Sequence, residues 1–127
     1  MNDALPGERA AALAEAAAEA VRGLNRAARE AGGIGRPAAA CDVLGSLSLA
    51  ASRLGQALAA VGSYLEGALA GGDLGHDLGD DPCFAVETAG LFLDGARASA
   101  SALAGHLGAA QREVARLNSS PRKDHER

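Results

Sequence analysis

The segment Asp73-Leu74-Gly75-His76-Asp77-Leu78-Gly79-Asp80-Asp81 gathers four acids and a histidine in nine residues, the densest cluster of ligand groups in the chain. A calcium loop wants oxygens at alternate positions and a bidentate acid near the twelfth. Here Gly75 takes a ligand position, and the residue eleven places after Asp73 is Phe84. No metal is expected, and the segment reads as a solvated turn whose acids cap the helix that follows. Leu74 and Leu78, apolar residues in a polar loop, leave recognition of a partner as a lesser reading.

Other chemistry is sparse. There is no His-x-x-x-His, Glu-x-x-His or Cys-x-x-Cys, so zinc-hydrolase and di-iron readings fail on ligand count. The glycine cluster Gly32-Gly33-Ile34-Gly35 leads into Arg36-Pro37 and has no lysine placed for a phosphate. Serines stand at alanine-like positions with no histidine at helical spacing to activate one. His106 stands alone and reads as a surface or packing residue. No acid, base or nucleophile is paired at a spacing that would join them, so an enzyme is not expected, nor is a cofactor. Arg22, Arg26, Arg29 and Arg36 could make a basic patch at one end. Glu19 and Glu30 dilute it, and no aromatic neighbour can stack on a base.

Whatever acts must therefore be surface, and composition says what kind. The chain has 127 residues, room for one domain. It is 48% hydrophobic but only 2% aromatic, and alanine supplies about half of its apolar residues. So few β-branched and aromatic residues exclude a sandwich or barrel. Sixteen acids against twelve bases leave a net charge of −4, the wrong sign for a general nucleic-acid binder. All the bases but Lys123 are arginine, which reads first as high-GC coding bias.

Proline and glycine punctuate the chain. Gly32-Gly33 closes a first segment, Pro37 opens a second, Gly71-Gly72 closes that, and Asp81-Pro82 opens a third. Helices are expected near 4–31, 37–70 and 83–117, with a polar tail over 118–127. In the second, Ala40, Leu44, Leu47, Ala51, Leu54, Leu58, Val61, Leu65 and Ala68 alternate steps of four and three. The third continues the pattern through Val86, Ala89, Leu93, Ala96, Ala100, Leu103, Leu107, Ala110, Val114 and Leu117. That period of 3.5 is a coiled-coil seam. A weaker version runs from Ala10 to Ala31. The expected fold is all-α, an antiparallel three-helix bundle with two long coiled-coil-like helices and the first helix in their groove. The second helix, with only Asp42, Arg53 and Glu66 charged, should be central.

A further stripe on the second helix holds small residues: Gly45, Ser48, Ser52, Gly55, Ala59 and Gly62. Each mid-helix glycine costs up to ~1 kcal/mol against alanine, so the stripe implies close packing. Its occupant is either the first helix of the same chain or another chain. Cys41 and Cys83 fall near the starts of their helices, at opposite ends of an antiparallel pair, so an intramolecular disulfide is not expected. Asn2, Asp3 and Glu8 stand where a secretory leader needs positive charge. The longest uncharged runs, Leu54–Leu65 and Ala98–Gln111, fall short of the roughly 20 residues that span a bilayer. A cytoplasmic location is expected.

The run Val43-Leu44-Gly45-Ser46-Leu47-Ser48-Leu49-Ala50-Ala51-Ser52-Arg53-Leu54-Gly55-Gln56-Ala57-Leu58 resembles a stretch in short, uncharacterised all-helical proteins of Streptomyces and related actinobacteria. So does Asp81-Pro82 with the helix that follows it to near Gln111. The resemblance covers roughly residues 37–117 and implies an actinobacterial helical bundle, with no catalytic residue or cofactor attached. Small helical-hairpin substrates of type VII secretion are similar in length. Their Trp-x-Gly turn is missing, and Tyr64 is followed at the fourth place by Ala68 rather than an acid. The expected function is non-enzymatic protein–protein interaction, as a homodimer or a small partner subunit. Alternatives are an accessory nucleic-acid or regulatory factor, a type VII-like hairpin and a carrier of apolar ligands.

Overall fold

The computed structural model describes residues 5–119, which form three α-helices and no strand. These are α1 (Pro6–Arg29), α2 (Pro37–Ala70) and α3 (Pro82–Val114). The protein is an all-α helical bundle that divides into two units, Met1–Arg36 and Pro37–Arg127. Residues 120–127 of the expected tail lie outside the described residues, while Asn118 and Ser119 are exposed and irregular.

Each helix begins on a proline, whose φ is preset and whose missing N–H would have lacked a partner. At the start of α1, Glu8 accepts from the Leu5 N–H at 3.0 Å. Asp81 caps α3 by accepting from the Cys83 N–H at 2.9 Å, as its position before Pro82 implies. Left-handed glycines follow the ends of the first two helices. α1 stops at Arg29, before the expected Ala31, because Glu30 is already extended and its carbonyl takes the Gly33 N–H at 2.8 Å. Gly32 follows with φ +71°, and a Cβ on Gly33 would overlap the Ala27 carbonyl. Gly72, at φ +75°, plays the corresponding part after α2, where the Asp73 N–H returns to the Ala68 carbonyl. α3 ends at Val114, so Leu117 lies past the helix and is exposed.

In the first unit, α1 buries none of its residues, and only Leu24 is half-buried. Of the two surface ion pairs that its spacing permits, Glu19–Arg22 forms at 3.7 Å and Arg26–Glu30 does not. Glu30 has left the helical path, which removes it from Arg26.

In the second unit α2 and α3 pack along their lengths as an antiparallel hairpin. Three relationships fix direction and register. Gln111 Nε2 donates to the Cys41 carbonyl at 3.3 Å, and the Ser48 hydroxyl donates to the Ala104 carbonyl at 2.8 Å. A Cβ on Gly62 would lie 3.7 Å from Leu93. As one position rises, its partner falls. The buried side chains among the described residues are Ala51, Ala68, Val86 and Ala100, none larger than valine.

Candidate functional site

The 3.5-residue period of α2 holds, but the line that meets α3 differs in phase from the expected seam. It runs through Leu44, Ser48, Ala51, Gly55, Leu58, Gly62 and Leu65, all buried or half-buried. Four of its seven residues come from the large-residue stripe and three from the small-residue stripe. On α3 the corresponding line is Val86, Gly90, Leu93, Ala100, Ala104, Leu107 and Gln111. Ser48, Gly62 and Gly108 let the two backbones approach where leucines would hold them apart.

The six small residues of α2 are thus placed along α3. Gly45 abuts the Gln111 side chain, Ser48 bonds to Ala104, and Gly62 meets Leu93. Ser52 and Gly55 line a shallow groove with Arg97, Ser101 and Ala104. Ala59 and Gly62 line another with Asp94 and Arg97. Ser52 is exposed; Gly55 and Ala59 are half-buried.

This groove side collects the charges. Glu66, Glu87 and Asp94 border it beside Leu69 and Leu91, and Arg97 answers only Asp94, at 3.8 Å. The opposite side is different. Reversing one helix of a pair mirrors its rotation as seen from the other, so equivalent stripes emerge on the same side of both. Ser52 meeting Ser101, and Ala59 meeting Asp94, show this for the groove side. The stripe on the other flank is Leu47, Leu54, Val61 and Ala68 from α2 with Ala89, Ala96, Leu103 and Ala110 from α3. It contains no charge. Leu54, Val61 and Leu103 are each about half exposed, at 50%, 48% and 49%. Tyr64 and Phe92, more exposed still, stand on its rim.

The spacing predicts Leu54, Val61 and Leu103 in an interior seam, and the structure turns them outward. The spacing also misses Gln111, the polar residue on the α3 contact line that locks the open end of the hairpin. On the expected seam Gln111 falls one place past Ala110, so the spacing alone does not mark it.

The residues with chemical potential do structural work. His76 Nδ1 accepts from the Leu78 N–H at 3.1 Å within the loop, and its carbonyl takes the Gly79 N–H at 2.8 Å. Leu74 is half-buried, while Leu78 is exposed. Among the described residues no three His, Cys, Asp or Glu side chains converge on a common point. Cys41 and Cys83 are both free thiols. Cys83 donates to a Glu87 carboxylate oxygen at 3.5 Å, and that bond, with the Glu87 charge, pushes its pKa above the ordinary thiol value. Arg22, Arg26 and Arg29 occupy one face of α1 by their spacing, with Arg22 paired to Glu19. Arg26 and Arg29 fall in the last turn, facing the negative end of the helix dipole, and Arg36 lies beyond Gly32 and Gly35. No described helix is long and apolar enough to cross a membrane.

No family model, curated protein or solved structure matches this chain.

Proposed function

We propose that this protein is a non-enzymatic helical module that acts by protein–protein contact, associating with itself or serving as the small subunit of a complex. The observation that carries this reading is the uncharged flank of the hairpin, where Leu54, Val61 and Leu103 remain half exposed. A soluble monomer rarely leaves a continuous apolar patch of more than a few hundred Å², and larger ones mark contact surfaces. A core whose largest buried side chain is a valine adds to the case, since the hairpin gains little burial alone. The two free thiols suit the reducing cytoplasm, where we place the protein's action.

Solution mass and dye binding test this together. Light scattering behind a sizing column, with reductant and over a wide range of concentrations, reports self-association. An apolar dye that brightens on hydrophobic surface reports whether the flank is open. The reading predicts an oligomer, or a monomer that binds dye and awaits its partner. A monomer that binds no dye overturns it.

A further inference from the structure

We propose that the uncharged flank seats a second copy of this chain, so that two α2–α3 hairpins stack into an antiparallel four-helix arrangement with α2 of each lying on α3 of the other. This rests on the protein-contact reading above and names its partner and surface.

The first support is area. From the level of Ala40 to that of Ala68 the flank is about 40 Å long at 1.5 Å per residue. A helix pair 8–10 Å between axes presents roughly 20 Å of width. The product is ~800 Å², the share each partner contributes to a standard stable interface.

The second is self-complementarity. The register set by Ser48 with Ala104 and Gly62 with Leu93 puts Leu54 level with the space between Ala96 and Leu103, midway along the hairpin. Along this flank α2 offers Leu47, Leu54 and Val61, while α3 offers Ala89, Ala96, Leu103 and Ala110. A two-fold axis parallel to the helices keeps every level and exchanges α2 for α3. It therefore sets Leu47 between the partner's Leu103 and the partner's Ala110, Leu54 between the partner's Ala96 and the partner's Leu103, and Val61 between the partner's Ala89 and the partner's Ala96. Each large side chain of α2 thus falls into a gap bordered by at least one alanine of the partner.

The third is exclusion of the other side. Two copies joined through the groove flank would bring Glu66, Glu87 and Asp94 against their own equivalents with one arginine each to offset them.

The test uses full-length Leu54→Glu and Leu103→Lys chains, each checked for retained helicity, with solution mass as the readout. Wild type is expected at twice the chain mass and each variant alone at the chain mass. An equimolar mixture should return to twice the chain mass. The carboxylate introduced on α2 of one variant then lies within about one turn, and so within side-chain reach, of the ammonium introduced on α3 of the other, while the second contact keeps its two leucines. Variants that remain dimeric overturn the assignment of this flank. Monomeric variants that stay apart on mixing overturn the alignment of α2 on α3. A wild-type monomer overturns the second copy altogether. If that monomer binds dye, the protein-contact reading survives with a different partner; if it excludes dye, the flank is covered within the chain and both fall.

Discussion

The Ser48 hydroxyl donates to the Ala104 carbonyl at 2.8 Å across the α2–α3 contact, and the same hydroxyl oxygen lies 3.7 Å from where a Cβ on Gly108 would be. A polar side chain is thus the spacer at one of the closest approaches of the hairpin. It satisfies itself on a main-chain acceptor that already serves its own helix.

Removing that bond should cost little, and enlarging the residue should cost more. Ser48→Ala gives up one neutral hydrogen bond of about 1 kcal/mol and regains about half of that in helix propensity. Ser48→Leu forces extra methylenes against Gly108 and should destabilise by ~1–3 kcal/mol. Urea titration of both variants checks the order. An equally stable leucine variant would mean that the helices do not approach this closely.

The helix starts and stops were legible because their causes are local. Pro6, Pro37 and Pro82 each occupy a first helical position, Gly72 takes the left-handed conformation that ends α2, and Gly32 takes it three residues past the end of α1. The period of α2 and α3 was legible for the same reason. The phase was not. Adjacent stripes on a helix with a 3.5-residue repeat lie only about 50° apart, and in this chain both are built from residues no larger than leucine. Hydrophobicity favours Leu54 and Val61 inside, whereas closest approach favours Ser48 and Gly62. Approach wins. An alanine-rich pair gains more from backbone proximity along its whole length than from enclosing a few leucines at one flank. The exposed apolar side follows from that choice.

Two glycines of the small-residue stripe should respond oppositely to alanine. A Cβ on Gly55 would meet nothing within 4 Å, so Gly55→Ala recovers the full propensity difference of up to ~1 kcal/mol. For a domain of this size that raises Tm by roughly 4–8 °C. A Cβ on Gly45 would overlap the Gln111 amide, which must then swing away from the Cys41 carbonyl. The lost hydrogen bond offsets the propensity gain, leaving Tm within about a degree or two of wild type. Melting curves of the two variants side by side decide it, and equal gains would show that Gln111 does not hold this end.

Asp81 should matter as an acceptor rather than as a charge. Its carboxylate takes the Cys83 N–H, one of the otherwise unpartnered donors of the first turn of α3. Asp81→Ala should cost about 1 kcal/mol, while Asp81→Asn, which keeps an acceptor oxygen, should stay close to wild type. Thermal unfolding distinguishes the two; equal losses would point to the charge.

Cys83 supplies a chemical readout of the same turn. A thiol at a helix N-terminus is normally acidified by the helix dipole. Here the thiol donates to Glu87, and both that bond and the Glu87 charge favour the protonated form, with partial burial and the Asp81 charge adding to them. The raised pKa means that less thiolate is present at pH 8 than an ordinary cysteine would carry, so alkylation by iodoacetamide should be slow. Glu87→Gln removes the charge and weakens the acceptor, lowering the pKa toward the ordinary value and speeding alkylation at pH 8. Well above the thiol pKa both chains are thiolate and their rates should converge. Site-resolved mass spectrometry across pH measures this for Cys83, with Cys41 in the same chain as the internal reference. A Glu87→Gln variant with an unchanged rate at pH 8 would show that Glu87 does not hold the thiol protonated.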